Sequence, residues 1–420
     1  MNFKITLTVL FSFIGLLILM LLVLDTTLYK LPGIYLKQTL SDEAQYVGSD
    51  VCGRCHQEQY SAWQGSLHSK IYKPKEEATI HADFSNPEEI GFTLDDVDWV
   101  IGSRWKQEFV QMRDGKGYVF PAIWLVKAKK WEIKKNKQER ITGELCDGCH
   151  TTGFELTTQQ FAEDSIGCEA CHGPGGQHTI SQKSEDIFSS PQVEVCSQCH
   201  TRGISSNRKT PFPVNYKLGE PMEKYFVTRK TWDGKIPIKH RQHHDEFTSS
   251  KHYKALDTLQ KGKKEPKVPH ADQPVEEGCL RCHSNKGKHN RGLLAVDDAK
   301  HGLTCVTCHN PHKSLYSKGE TARVATICGS CHVNSLRKYG PKQESHFPCP
   351  ESAVSCPDCH MPKIKYVAEK FDMRDHSFKI ITPDIADQNK IPSSCSAGKC
   401  HDDLTSNQII EKYDYWYGDK

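Results

Sequence analysis

Eighteen of the nineteen cysteines in this 420-residue chain occur in nine pairs, and a histidine directly follows the second cysteine of every pair. Two thiols and an imidazole at a fixed spacing could bind zinc, form a redox-active dithiol or attach a haem. In chain order, motifs 1 to 8 have the spacing C-x-x-C-H and motif 9 has four residues between its cysteines: Cys52/Cys55/His56, Cys146/Cys149/His150, Cys168/Cys171/His172, Cys196/Cys199/His200, Cys279/Cys282/His283, Cys305/Cys308/His309, Cys328/Cys331/His332, Cys356/Cys359/His360 and Cys395/Cys400/His401. Cys349 stands outside the pattern.

The regularity of the motifs favours one of the three chemistries. Zinc ribbons use C-x-x-C pairs but need no histidine after each of them. A redox dithiol occurs once or twice in a chain, and structural disulfides do not keep so uniform a spacing. C-x-x-C-H is the attachment signature of c-type haem, in which the thiols add to the porphyrin vinyl groups and the imidazole reaches the iron from one side. The pattern predicts nine covalent haem c groups with their irons.

The histidines outside the motifs bear on how each iron is used. An electron carrier fills both axial positions of its iron, whereas a catalytic haem leaves one position open. Thirteen histidines remain once the nine motif histidines are subtracted from the total of 22. We predict nine of them as second ligands: His68, His178, His252, His270, His289, His301, His312, His346 and His376. His312 lies too close to His309 to serve the same iron and should serve a neighbouring one, whereas His240, His243 and His244 are expected not to be ligands.

The composition also indicates an interior that is not filled by side chains alone. Apolar residues make up 37% of the chain, and that share already includes the 19 cysteines. This apolar content is low for a conventional hydrophobic core in a chain of this size, and attached porphyrins would fill the interior instead. The formal net charge is +3, which the haem propionates would turn acidic. The basic runs are therefore read as solvated surface, and no nucleic-acid binding is expected.

The first 24 residues form an apolar segment. Ile5 to Leu24 carry no charge, and the run is long enough to cross a bilayer as a helix. It ends without an A-x-A cleavage site, so residues 1–30 are predicted to be an uncleaved signal-anchor of the cytoplasmic membrane. The alternative is a cleaved signal peptide. Both readings export the rest of the chain to the periplasmic side.

The spacing of the motifs divides the exported part. We expect an N-terminal haem region over residues 46–255, a linker over 256–278 and a C-terminal haem region over 279–420. Between motifs 1 and 2, residues near 97–133 are rich in aromatic and β-branched side chains and contain the turn sequence RDGKG. They predict a small β meander. Helices should be short and should cluster just after the motifs.

Several phrases of the chain resemble the exported multihaem c-type cytochromes. The likeness is greatest to the class of the nitrifier tetrahaem cytochrome, hydroxylamine oxidoreductase and the octahaem reductases. The phrases are YVGSDVCGRCHQEQYSAWQGSLHSK, IGSRWKQEFV with DGKGYVFPAIW, GCEACHGPGGQH, QHHDEFTSSKHYK, and CPDCHMPK with RDHSF. The resemblance implies a mostly α fold with extensive irregular structure, wrapped around packed haems. It also strengthens the second-ligand predictions for His68, His178, His252 and His376.

Two departures from that class limit what the resemblance implies. Some of its reductases mark the catalytic haem with C-x-x-C-K, which does not occur here. The tyrosine that hydroxylamine oxidoreductases cross-link to haem cannot be assigned to a position of this chain. No catalytic residue therefore follows from the likeness.

Two functions are compatible with the sequence. The first is electron transfer through bis-histidine haems, from a membrane quinol dehydrogenase or another redox protein to periplasmic or extracellular acceptors, by a chain that could form homo-oligomers. The alternative is reduction of a small nitrogen or sulfur oxyanion at one open haem lined by His243, His244 or Arg241. Carbon monoxide distinguishes them, because it binds only an iron with a free position.

Overall fold

A computed structural model gives the fold of part of the chain. It describes residues 45–134, 140–190, 192–228, 242–250, 252–253, 303–317, 327–328, 356–365, 372–389, 391–397, 401 and 403–417. The chain divides into two units, residues 1–45 and 46–420, and every described residue except Gln45 belongs to the second. The predicted anchor over residues 1–30 and the predicted linker over 256–278 lie outside the described residues. Within these ranges, no helix is long and apolar enough to span a bilayer.

The helices of the described residues are short. They span 4 to 12 residues each, and they are α1 (Ser49–Gly53), α2 (Gln57–Gln64), α3 (Pro87–Ile90), α4 (Thr142–Leu145), α5 (Asp147–His150), α6 (Glu169–His172), α7 (Gly176–Ser181), α8 (Val193–Ser197), α9 (His243–Ser249), α10 (Cys305–Cys308), α11 (Cys356–His360), α12 (Pro383–Asn389) and α13 (Ser406–Tyr417). Helices this short are marginal by themselves and depend on tertiary packing. Many of them begin or end within a motif.

Five motifs share one backbone turn. The amide of the motif histidine donates to the carbonyl of the first cysteine, with N···O distances of 2.9 to 3.1 Å in motifs 1, 2, 3, 4 and 6. This is the hydrogen bond of a single α-helical turn. Residues three and four positions apart lie on the same side of such a turn. The two thiols and the imidazole of each motif can therefore reach one attached group.

The best-defined element is an antiparallel sheet that precedes motif 2. Its strands are β1 (Tyr72–Pro74), β2 (Trp99–Ile101), β3 (Lys106–Arg113), β4 (Lys116–Leu125), β5 (Lys130–Ile133) and β6 (Arg140–Ile141). They lie in the order β1-β2-β3-β4-β5, with β6 beside β4. The β3–β4 hairpin turns at Asp114 and Gly115, whose φ angles are 50° and 74°. Positive φ at both residues is the geometry that an Asp-Gly pair favours in a two-residue hairpin turn.

The sheet has an apolar core of its own. Phe109 and Val97 are fully buried in a cluster with Ile90, Phe92, Val100, Ala122 and Trp124. The rings of Phe92 and Phe120 stack with centroids 4.0 Å apart. A smaller cluster contains Tyr72, Ile101, Val110 and Val119, and Cys146 of motif 2 packs against it. The sheet therefore supports the start of motif 2.

The remaining strands of the described part form three two-stranded sheets. They are β7 (Thr151–Thr152) with β8 (Glu163–Asp164), β9 (Gly203–Ser205) with β10 (Phe226–Thr228), and β11 (Lys363–Lys365) with β12 (Asp372–Arg374). The meander predicted near residues 97–133 is confirmed, and β1 and β6 extend it on both sides. The description as mostly α is not shown, since twelve strands accompany the short helices of the described residues.

Candidate functional site

Most of the predicted haem-attaching cysteines fall within the described residues. Six motifs are described in full, namely motifs 1, 2, 3, 4, 6 and 8, together with Cys328 of motif 7 and with Cys395 and His401 of motif 9. None of the fourteen described cysteines is in a disulfide. Cys279, Cys282, His283, Cys331, His332, Cys349 and Cys400 lie outside the described residues. Attachment at the motifs stays a prediction residue by residue.

The predicted attachment at Cys55 and Cys359, the second cysteines of motifs 1 and 8, is not confirmed by the contacts around them. The amide of Cys55 donates to the Cys52 carbonyl at 3.2 Å, and the carbonyl of Cys359 accepts a hydrogen bond from the Ser394 hydroxyl at 2.9 Å. Both bonds involve backbone atoms of the cysteine and not its sulfur. Cys359 is half-buried, but Cys55 is exposed. Attachment at both cysteines stays a prediction.

Four motif histidines face a histidine from outside the motifs. The ring centroids lie 6.3 Å apart for His56 and His178, 6.3 Å for His200 and His68, 6.2 Å for His172 and His312, and 6.1 Å for His309 and His376. Each pair therefore joins one predicted first ligand to one predicted second ligand. In every pair the two residues come from different parts of the chain.

The separations in the four pairs fit a shared iron. An imidazole nitrogen binds a transition metal at about 2.0 Å, and the ring centre lies about 1.2 Å beyond it, so two imidazoles on opposite sides of one iron have centroids about 6.4 Å apart. The observed 6.1 to 6.3 Å agree with this value. Directly packed rings of this chain span the range from 4.0 Å for Phe92 and Phe120 to 6.3 Å for Phe247 and Phe378, so what distinguishes the four pairs is that each joins a motif histidine to a predicted second ligand. The pairs are therefore suited to holding an iron between their rings.

In several of these imidazoles, a hydrogen bond determines which ring nitrogen is available to bind a metal. The Nδ1 atom of His172 lies 2.8 Å from the carbonyl oxygen of Phe188, and that of His178 lies 2.8 Å from the carbonyl oxygen of Lys183. In His376, Nδ1 is 3.0 Å from the carbonyl oxygen of Arg374. A carbonyl can only accept, so Nδ1 carries the proton in each ring. The lone pair of Nε2 is then free to bind a metal.

Burial keeps three of the paired imidazoles neutral. It lowers the pKa of His68 below the usual histidine value, although a hydrogen bond to the Pro311 carbonyl opposes the shift. It also lowers the pKa of His312, assisted by the neighbouring His172, and that of His376. A histidine must be neutral to bind a metal. These side chains therefore meet the protonation requirement of an iron ligand at neutral pH.

Three pairs of motifs touch through their cysteine sulfurs. Cys52 of motif 1 contacts Cys168 of motif 3, and Cys149 of motif 2 contacts Cys199 of motif 4. A third contact joins Cys196 of motif 4 to Cys305 of motif 6. These sulfurs would carry the thioether bonds. Groups attached at the two motifs of each pair would therefore lie side by side.

A buried carboxylate holds motif 1 against motif 3. Glu169, inside the CEACH sequence, is 2% exposed and accepts hydrogen bonds from the backbone amides of Val47, Gly48 and Gly175 at 2.7 to 3.1 Å. Ser49 adds two further bonds, with its amide and hydroxyl both donating to Glu163. Glu169 therefore fixes the segment that leads into motif 1 against motif 3.

One of the remaining predicted second ligands lies within the described residues. His252 lies in the described residues, where its ring is 4.5 Å from that of Phe378. His270, His289, His301 and His346 lie outside the described residues, as does His240. The second ligands of His150, His360 and His401 stay predictions.

The sequence did not indicate the position of His243. This residue was expected to be a non-ligand, yet its ring centroid lies 4.2 Å from that of His376 and 5.7 Å from that of His200. With Glu246 and His376 it forms the one cluster of three potential metal ligands in the described part of the chain. Burial raises the pKa of Glu246 to about 8. The usable signal was the three-residue spacing of His243 and Glu246, which places both on one face of α9.

That cluster contains no cysteine, and among the described residues the sulfurs of different motifs meet two at a time rather than in the set of four that a four-cysteine zinc site requires. His244, the other described histidine of the HH pair, instead places Nδ1 2.6 Å from the Ser197 hydroxyl. Its environment is that of a buried, hydrogen-bonded side chain.

Two family models match parts of the chain. The model "Cytochrome c554 and c-prime" matches residues 51–90, 122–173 and 239–310, and the model "Doubled CXXCH motif" matches residues 297–336. No curated protein matches the chain. Motif spacing and both family matches agree on one class, the multihaem c-type cytochromes. They support covalent c-type haem as the cofactor.

Two solved structures have a similar fold. One is the crystal structure of the outer cell wall cytochrome OcwA, with a TM-score of 0.71 and 26% sequence identity, over 88% of this chain and 86% of that one. The other is the undecaheme cytochrome from the S-layer of Carboxydothermus ferrireducens, with a TM-score of 0.51 and 21% identity. It is matched over 90% of this chain and 61% of its own length, and it supports the fold alone. The chain thus has the fold of a multihaem cytochrome.

Proposed function

We propose that the chain is an exported electron-transfer protein that binds nine c-type haems, each of them through two histidines. The observation that carries the proposal is the set of four histidine pairs with centroids 6.1 to 6.3 Å apart. Haem supplies a one-electron redox centre when it is bound. The protein supplies its attachment through the cysteines and closes both axial positions with imidazoles.

The arrangement of the motifs supports transfer between bound groups. The three sulfur contacts, Cys52 with Cys168, Cys149 with Cys199 and Cys196 with Cys305, form two groups of neighbouring motifs, motifs 1 and 3 and motifs 2, 4 and 6. His312, which follows motif 6, faces His172 of motif 3 and so joins the two groups. A protein that only stored or sensed haem would gain nothing from such crowding. A carrier requires it, because its redox groups must be close together.

Location and partners belong to the same proposal. Residues 1–30 would anchor the chain in the cytoplasmic membrane with residues from 46 onward exported, and the likeness to an outer cell wall cytochrome is in keeping with export. The donor would be a membrane quinol dehydrogenase or another redox protein, and the acceptor a periplasmic or extracellular one. A chain of closed irons has no site for a substrate. Its partners are therefore expected to be other electron carriers.

Carbon monoxide titration of the reduced, haem-loaded chain tests the proposal. We expect mass spectrometry to give nine haems per chain, and carbon monoxide to leave the visible spectrum nearly unchanged. His178→Ala should open one iron and produce a carbon monoxide band equivalent to about one haem, because an iron that loses an axial ligand becomes accessible. His81→Ala, which changes an exposed histidine near the sheet, is the matched control and should behave as the wild type.

Three outcomes would contradict the proposal or a part of it. A carbon monoxide band of about one haem in the wild type would favour the alternative, an oxidoreductase that reduces a small nitrogen or sulfur oxyanion at an open iron. An unchanged spectrum in His178→Ala would remove the assigned pairing of His56 with His178. A colourless protein from a host with working cytochrome maturation would end the haem assignment altogether.

A further inference from the structure

The segment that carries His376 is fixed at both ends by contacts outside itself. His376 faces His309 of motif 6 with ring centroids 6.1 Å apart. Strand β12, which ends at Arg374, pairs with β11 directly after motif 8, with Lys363 opposite Arg374. The amide of Asp375 then donates to the Pro362 carbonyl at 3.1 Å. The histidine that faces motif 6 is therefore presented from a strand docked on motif 8.

Arg374 makes the tightest of these connections. Its Nη1 donates to the carbonyl oxygens of Pro357 at 2.7 Å and Met361 at 3.1 Å, and its Nη2 lies 2.9 Å from Oδ1 of Asp358. Pro357 and Asp358 are the two residues between the cysteines of motif 8, and Met361 follows the motif histidine. One guanidinium thus binds motif 8 along its length. Its planar fork can reach all three acceptors at once, which an ammonium cannot do with the same geometry.

The backbone of the same residue orients His376. The Arg374 carbonyl accepts the hydrogen bond from Nδ1 of His376 at 3.0 Å, so the ring presents Nε2. From the other side, the buried carboxylate of Glu246 accepts the amide hydrogen of His376 at 2.7 Å. The side chain of Arg374 is thus bound to one motif while its carbonyl sets the ligand aimed at another. A shift of this residue would move the imidazole away from His309.

We propose that Arg374 is a positioning residue that ties two haem motifs together: bound to motif 8 through its guanidinium, it holds His376 as the second ligand of the iron at motif 6. The inference rests on the proposed bis-histidine binding and adds to it a residue that contacts no iron. It also makes the ligation at motif 6 depend on the structure of motif 8.

The test compares variants of the full haem-loaded chain by electron paramagnetic resonance and by carbon monoxide binding, each measured against the wild type. His376→Ala should convert one low-spin haem to a high-spin form that binds carbon monoxide. Arg374→Gln should produce the same species in a fraction of the molecules, because the backbone contacts of the segment remain but the guanidinium contacts to motif 8 are lost. Arg374→Lys, which keeps the charge but not the fork, should lie between Arg374→Gln and the wild type. Arg113→Gln, at an arginine on β3 whose guanidinium stacks on Tyr118, is the control and should leave both signals unchanged.

The outcomes separate this inference from the proposed function. If His376→Ala leaves both signals unchanged, the pairing with His309 is wrong and the proposed function loses that site. If His376→Ala acts as expected while Arg374→Gln has wild-type signals, the positioning role is overturned and the pairing stands. If Arg374→Gln instead lacks the covalent haem of motif 8 by peptide mass, its effect is on attachment and the inference also fails. Should Arg374→Gln not accumulate, Asp358→Asn removes only the ion pair and is expected to give a smaller high-spin fraction at motif 6; wild-type signals there would overturn the inference.

Discussion

The sheet and the motif region of this chain are held together in different ways. The sheet buries apolar side chains in two adjoining clusters around Phe109 and Tyr72. The described motif region over residues 142–250 buries only scattered apolar side chains, namely Val193, Phe212, Met222 and Phe226. Its buried polar residues are more numerous: Thr142, Asp147, Thr151, Thr152, Ser165, Glu169, Ser197, Thr201, Ser205, Thr210, Gln242, His244, Glu246 and Ser250.

This contrast indicates where each region obtains its stability. Burying an apolar side chain contributes about 1.5–3 kcal/mol, so the sheet can be stable through its own packing. A region that buries mainly hydroxyls and carboxylates gains little from the hydrophobic effect, and its buried polar groups need hydrogen bonds merely to replace those that they would make with water. Covalently bound haems would supply the missing apolar surface. Stability of the motif region should then depend on the cofactor, whereas stability of the sheet should not.

Removing the cofactor should have the largest effect. In protein produced without haem attachment, we expect backbone amides over residues 142–250 to exchange hydrogen nearly as fast as in an unfolded chain. Amides of β2, β3 and β4 should stay protected, because their core is made of side chains. Hydrogen exchange followed by mass spectrometry measures both regions in one sample. Equal protection of the two regions from hydrogen exchange in the apoprotein would show that their stabilities do not differ in their dependence on haem.

A substitution that creates a cavity in the sheet tests whether the sheet is stabilised by its own apolar core. Phe109→Ala should lower the free energy of unfolding of the sheet by about 3–5 kcal/mol, since the side chain is fully buried. The visible haem spectrum should be unchanged at temperatures where the sheet is still folded. Met112→Ala on the same strand, at a side chain that is 41% exposed, is the control and should cost less than about 0.5 kcal/mol. Far-ultraviolet circular dichroism during heating measures both, and equal losses would contradict the assignment of the core.

A smaller effect is expected from the ion pairs of the sheet. Burial would raise the pKa of Glu108, but Lys106, Arg140 and Lys134 outweigh it and hold the pKa at about 2, against an ordinary value of 4.5. A lowered pKa means that the carboxylate stabilises the fold fully above pH 4.5 and progressively less as the pH falls towards 2. Glu108→Gln should therefore cost about 2 kcal/mol at pH 7, after allowance for the partly solvated cations.

The pH dependence of that variant is the sharper measurement. The difference in unfolding temperature between the wild type and Glu108→Gln should narrow below pH 4.5 and be mostly lost once the pH falls to the folded-state pKa of about 2. A difference that stays constant across this range would show that the carboxylate acts through shape rather than through charge.

The sequence predicted features that depend on residues close together in the chain. The C-x-x-C-H spacing identified the segments that form a single helical turn at five motifs, and the turn sequence RDGKG indicated the hairpin between β3 and β4. Strands β1 and β6 were missed, because segments of two or three residues are too short to show an alternating pattern and gain their pairing from distant residues.

The partners of the motif histidines could not be read from the sequence for a related reason. His56 faces His178 and His309 faces His376 across long stretches of chain, and spacing in the sequence carries no information on such contacts. The expectation that His312 serves a neighbouring motif rather than its own agrees with its position opposite His172, although its role as a ligand stays a prediction. His243 was expected to be a non-ligand because it belongs to the cluster of His240, His243 and His244.

The sulfur contacts between motifs have a consequence for how the chain is made. In the folded protein Cys52 touches Cys168, Cys149 touches Cys199 and Cys196 touches Cys305. If folding came first in an oxidising compartment, each of these neighbours would be placed to crosslink to the other and so to block two attachment sites at once. If these thiols attach haem, they would have to be loaded before the motifs pack against one another, and the order of events during secretion would become a condition for reaching the native state.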